Sequence, residues 1–160
     1  MYFAIKGQEK MFGHLYETEE EAGQSLDRLQ HRMYDSALFA GAEIVEVEDP
    51  AGIMEIWQMK DEDWAHGHKF FHYKMANSEG HVAKRFYNCV YREANTQEPG
   101  IRELGDLYRR FNCAHPEDFM AASMSVSDIV VFKKDGKSHA FFVEPIGFVE
   151  PIGFVEVPFE

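Results

Sequence analysis

The dipeptide Asp135-Gly136, set between the apolar run at 129–132 and the aromatic run at 140–143, constrains this chain more than any other feature. A two-residue loop with positive φ at both positions matches the twist of the strands it joins, and Asp-Gly is one of the few pairs that adopt it readily. Counting outward from the loop sets Val131 opposite Ala140, Val130 opposite Phe141 and Ile129 opposite Phe142. Apolar pairs then fall on both faces. The hairpin, over about 128–143, is therefore expected inside a sheet that is covered on each side.

Around it the pattern reads as α+β, a mainly antiparallel sheet with two principal helices over about 19–40 and 100–112. Residues 2–6 are a strand candidate, and 11–16 return as a second. Thr18 with Glu21 forms a capping box, after which Ala22, Leu26, Leu29, Met33 and Ala37 make one apolar stripe at helical spacing, ended by Gly41. A strand at 42–48 completes a small acidic β(β)αβ unit over residues 1–52, and Asp49-Pro50-Ala51-Gly52 is the linker. The second unit spans 53–160. In it 56–60 is a strand, and 68–75 alternates like its hairpin partner. Residues 86–91 form a further strand with Tyr87, Cys89 and Tyr91 on one face. Ile101, Leu104, Leu107, Tyr108 and Phe111 form the second helical stripe, and Pro116 starts one more helical turn.

Fourteen Phe, seven Tyr and two Trp supply a large core. No apolar run is long enough to span a bilayer, and the N-terminus lacks the pattern of an export signal, which predicts a cytoplasmic protein with no membrane role. Cys89 and Cys113 read as reduced, buried thiols. The net charge of −12 is concentrated in the first 63 residues, while the middle of the chain is net basic. Such acidity argues against direct nucleic-acid binding, which depends on Lys and Arg neutralising phosphates. It directs attention to Glu17, Glu19, Glu20, Glu21, Glu43, Glu46 and Glu48 as an acidic interaction face.

Three constellations invite chemistry. His66, His68 and His72, near Asp61, Glu62, Asp63 and His81, would share a face of a strand as metal ligands. They lack the spacing of zinc fingers or of helical metalloprotease sites, so no metal and no cofactor is expected. Cys113 and His115 are too close on a helix end to converge. Ser123, Ser125, Ser127 and Asp128 precede a strand without a nucleophile elbow, which is the pattern of turn chemistry. No catalytic residue is assigned.

Asn112, His115-Pro116-Glu117-Asp118-Phe119, Ser125-Val126-Ser127-Asp128-Ile129-Val130-Val131, Gly136 and the closing Gly-Phe-Val-Glu-Val-Pro resemble the YodL-like domain found in Gram-positive bacteria and their mobile elements. The resemblance covers about 56–160, most closely 104–160. It departs at 120–124, where a Gly- or His-containing turn belongs, and in the tail. It implies a bacterial accessory protein, often borne on a plasmid, conjugative element or phage, with no known catalytic role; Asn112, Pro116, Asp118, Phe119, Ser125, Ser127, Asp128 and Gly136 are its signature positions.

The expected function is therefore non-catalytic binding of an unidentified protein partner. The alternatives are an acidic inhibitor that mimics DNA, and a small metal-assisted hydrolase built on 66–72. The tail repeats Glu-Pro-Ile-Gly-Phe-Val at 144–149 and 150–155. Six is even, so either copy presents the same faces to a sheet. One copy is expected to dock with its Ile and Phe on the core, leaving the other as a strand, loop or intermolecular arm, so that the 144–157 tail offers a route to self-association.

Overall fold

The computed structural model describes residues 1–61, 69, 71–78, 80, 82–147 and 152–160. Near the N-terminus, β1 (Tyr2–Lys6) and β2 (Glu43–Val47) pair antiparallel as a two-stranded ribbon. Between them runs α1 (Glu19–His31), started by the Thr18 hydroxyl, which accepts the Glu21 amide at 3.1 Å. Ile5 and Ile44 face α1 and pack with Leu26, Leu29 and Phe39. Ala4, Val45 and Val47 face the other way, toward Leu15 and Ile53.

Five antiparallel strands make the main sheet: β3 (Gly52–Met59), β4 (Tyr87–Ala94), β5 (Ile129–Lys134), β6 (Lys137–Pro145) and β7 (Ile152–Val157), in the order β4-β3-β5-β6-β7. The hairpin closes in the register counted from its turn, with Val131 on Ala140, Val130 on Phe141 and Ile129 on Phe142. Asp135 and Gly136 take φ of 54° and 73°. Both faces of β5 are buried. One packs under α2 (Ile101–Cys113), where Leu104, Leu107 and Phe111 meet Met54, Ile56, Tyr91, Val130 and Phe132. The other gathers Met59, Tyr87, Val131, Phe142, Val157 and Phe159, with Ala76 above them.

Several local expectations are corrected. The first helix stops at His31 rather than near 40. Arg32 is extended, Asp35 is left-handed at φ 52°, and a 3-10 turn over Ser36–Phe39 follows. Folding back in this way seats Phe39, fully buried, on Phe12 at 4.4 Å and leaves Met33 in solvent. Burial of a large aromatic outweighs continuing a stripe that would add only Met33 and Ala37. Residues 11–16 make isolated bridges to β1 rather than a strand. β3 pairs with β4 and β5, and Tyr73–Ala76 is a helical turn, not a strand. Pro116 opens a turn, closed by the Phe119 amide on its carbonyl, not a helix. Ile101, at the start of α2, is exposed, and so is Cys113, which lies off the apolar stripe.

Tyr87 and Tyr91 do not share a face. Ile56 pairs with Tyr91 but Trp57 with Cys89, which leaves Val90 as the extra residue of a bulge. One added residue turns every later side chain over, so Tyr91 enters the core under α2 while Tyr87 enters the opposite one.

In the tail the second copy of the repeat docks. Phe154 pairs with Val143 and Val155 with Phe142, and Ile152 and Phe154 pack against the core under α2. The first copy ends β6 with Glu144 and Pro145. Its Ile146 then lies over Gly153, where an added Cβ would clash with the Ile146 side chain. Residues 148–151 lie outside the described residues.

Candidate functional site

β4 is an edge strand of the main sheet, and the segment 14–16 crosses that edge. Leu15 donates its amide to the Arg92 carbonyl at 2.7 Å, while Tyr16 and Phe3 exchange amide-to-carbonyl bonds at 2.8 and 2.9 Å. One short segment thus ties the ribbon to the sheet. His14 stacks on Tyr16 at 4.0 Å and meets Tyr91 at 4.6 Å with the rings tilted by 43°. Its amide donates to the Asp118 carboxylate at 2.8 Å, and Asp118 also accepts from the Tyr91 hydroxyl at 3.3 Å.

Around the crossing lies a charged network. Glu55, 1% exposed, accepts from Arg92 Nε at 2.6 Å and is paired to Lys133 at 2.9 Å; Arg92 reaches on to Glu17 at 2.9 Å. Burial alone would raise the Glu55 carboxyl, but the Lys133 and Arg92 donors hold it below its ordinary value.

Beside the network opens a cleft of about 590 Å³. One wall is α1, with Glu21, Gln24, Ser25 and Arg28. The other is β4, with Asn88, Cys89 and Val90. His14, Tyr16, Trp57, Asp118, Met120 and Ala121 also line it. Glu17, Glu21, Arg28 and Arg92 bring charge to it, and several of its other groups are neutral. Burial, with the Arg92 charge second, pushes His14 down to about 3, so the imidazole is uncharged. Burial raises the Tyr16 hydroxyl above its ordinary value and pushes the Cys89 thiol up to about 12, which leaves it no thiolate character. Asp118 is raised as well, by burial first. The Tyr16 hydroxyl lies beside Ser25 and Asp118, yet it closes no hydrogen bond of normal geometry.

The signature positions form a second cluster, and it is structural. The Asn112 amide donates to the carbonyls of Tyr108 and Met124 at 3.0 and 2.7 Å. Asp128 accepts from the Ser125 amide at 3.0 Å and from Gln58 at 3.1 Å. Ser127, at φ 79°, gives its amide to Val143 and receives the Tyr87 hydroxyl at 2.8 Å. Phe119 packs edge-on against Phe111 and Tyr91. Pro116 turns the chain toward Asp118, and Gly136 closes the hairpin. Burial pushes the Asp128 carboxyl up to about 7. These groups staple the 114–128 segment to the sheet.

The other sequence candidates scatter. Glu17 is engaged by Arg92. Glu19, Glu20, Glu21, Glu43, Glu46 and Glu48 are exposed, and none pairs with a cation among the described residues. On β2, Glu46 shares the α1 side with Ile44, whereas Glu43 shares the opposite side with Val45. His66 and His68 lie outside the described residues; His72 stands 3.6 Å from Glu144. No group of three potential metal ligands occurs among the described residues. His115 Nε2 meets the exposed Ser123 hydroxyl at 3.0 Å, away from the cleft.

The cleft itself went unread from sequence. Only Glu55, the one charge in β3, and Arg92, beside Glu93 near the end of β4, carried a signal. Among the described residues no helix is long and apolar enough to cross a membrane. A family model, the YodL-like domain, matches residues 53–154. No curated protein and no solved structure matches the chain.

Proposed function

The chain belongs to the YodL-like domain family, and from that premise we propose that it is a non-catalytic bacterial accessory protein of the cytoplasm, associated with mobile elements, that acts by binding another protein. One observation carries the reading. The unpaired carboxylates Glu19, Glu20, Glu21, Glu43, Glu46 and Glu48 all lie in residues 1–52, outside the family match, which begins at the second residue of β3. A family domain that adds an acidic ribbon and helix gains a negative field suited to a basic protein surface, and such a field acts mainly on encounter and specificity. Inhibition by DNA mimicry asks for carboxylates in a row spaced as phosphates are, and β2 sends Glu43 and Glu46 to opposite sides. The 144–157 tail is a further contact surface we propose for self-association.

Capture from a bacterial lysate on immobilised protein, followed by affinity measurement at rising ionic strength, tests the reading. A basic protein partner whose association slows with salt, and with Glu19, Glu20 and Glu21 all changed to Lys, is expected. A partner that ignores these changes, or a turnover reaction abolished by them, overturns it.

A further inference from the structure

Resting on the protein-binding reading, we infer that the cleft beside β4 receives an extended segment of the partner, added as a strand to the outer edge of β4 at Cys89 and carrying a basic side chain. β4 ends the sheet. The Phe86 carbonyl turns inward to accept the Lys60 amide at 2.9 Å. Three residues later, strand alternation turns the amide and carbonyl of Cys89 outward, and no described residue pairs with them. Farther along the same edge Arg92 already accepts a strand-like bond from Leu15. The cleft continues that line, so a segment laid in it extends a pairing the fold has begun, which is how an exposed sheet edge recognises a peptide.

Two further observations favour an occupant of this kind. The hydroxyl of Tyr16, a residue 4% exposed, lies beside Ser25 yet closes no hydrogen bond of normal geometry among the described residues, and Tyr16 lines the cleft. The charge is graded as well. Glu21 stands with the acidic first turn of α1 at one end, while Arg28 lies seven residues on, about 10 Å farther along the helix axis. A Lys or Arg of the incoming strand is favoured at the Glu21 end, and the uncharged His14 and Trp57 accept an apolar neighbour.

The probe is a capped hexapeptide alternating Arg and Val, compared with the same peptide N-methylated at its Val residues and with one alternating Glu and Val. Backbone amide spectra of the ¹⁵N-labelled full chain are expected to shift at Cys89 and Val90, with exchange of the Cys89 amide slowed. N-methylation should weaken binding about tenfold, the effect of roughly one backbone hydrogen bond. The Glu-Val peptide should not bind, and Glu21→Gln, which removes the carboxylate charge at an exposed position, should weaken the Arg-Val peptide severalfold with little change in melting temperature. Binding that leaves Cys89 unshifted, indifference to N-methylation, or no binding overturns the inference. A salt-sensitive basic partner captured in the preceding experiment would still stand in each of those cases, so the two readings fail separately.

Discussion

The backbone amide of His14 donates to the Asp118 carboxylate at 2.8 Å, across 104 positions of sequence. A residue outside the family match thereby uses a signature position of the family domain as its acceptor. Asp118→Ala leaves that amide and the Tyr91 hydroxyl without an acceptor in a buried setting. A loss of about 2–4 kcal/mol in urea unfolding is expected, because an orphaned buried donor loses about 1–3 kcal/mol. Asp118→Asn, which keeps one acceptor oxygen, should lose less than half as much.

The charged network predicts a different pattern. Glu55→Ala removes the counter-charge of Arg92, which is 8% exposed on its side chain, and of Lys133. Breaking a buried pair on one side destabilises by about 3–5 kcal/mol, whereas replacing both partners with apolar residues of similar size is often near neutral. Denaturant titration of Glu55→Ala, Arg92→Leu and the double variant Glu55→Met/Arg92→Leu should show the double variant more stable than either single one.

Two buried groups pull stability in opposite directions with pH. His14 is lowered in the fold from 6.5 to about 3, so its contribution is present above 6.5 and lost as pH falls toward 3. Asp128 is raised from 3.8 to about 7, so its contribution is present below 3.8 and lost as pH rises through 7. Between about 4 and 6.5 each has a slope near 1.4 kcal/mol per pH unit, of opposite sign, and they cancel. Asp128→Asn should leave stability rising with pH across that window. His14→Gln should leave it falling. Parallel profiles for both variants and the parent would contradict these assignments.

The tail repeat offers a deletion test. Removing residues 144–149 or 150–155 yields the same product, because the copies are identical. The remaining copy retains the pairs now made by Val143 with Phe154 and Phe142 with Val155. A folded protein whose melting temperature changes by less than about 4 °C, roughly 1–2 kcal/mol at this size, is expected. A later elution volume on gel filtration would show that the additional copy drives self-association. Loss of cooperative melting would show that both copies are needed to complete the sheet.

Local chemistry was legible in the sequence, and tertiary competition was not. Asp135-Gly136 determines its own turn, and Thr18 with Glu21 its own cap, so the hairpin register and the start of α1 read directly. The end of α1 depends on Phe39 finding Phe12, an event with no local signature. The face of Tyr91 depends on one extra residue at Val90, which no alternation pattern announces. The cleft is harder still. It exists because Leu15 meets Arg92 across the edge of β4, and neither residue type suggests that meeting.

The bulge at Val90 bears on how this protein comes apart. The Tyr87 hydroxyl is anchored to the Ser127 carbonyl on one side of the sheet, and the Tyr91 hydroxyl to Asp118 on the other. A single strand therefore works as a rivet through both layers, and neither layer peels away without pulling on the same five residues of backbone. Amide hydrogens beneath α2 and those beneath Phe159 belong to one cooperative opening unit, and they should exchange with a common free energy rather than as two independently melting halves.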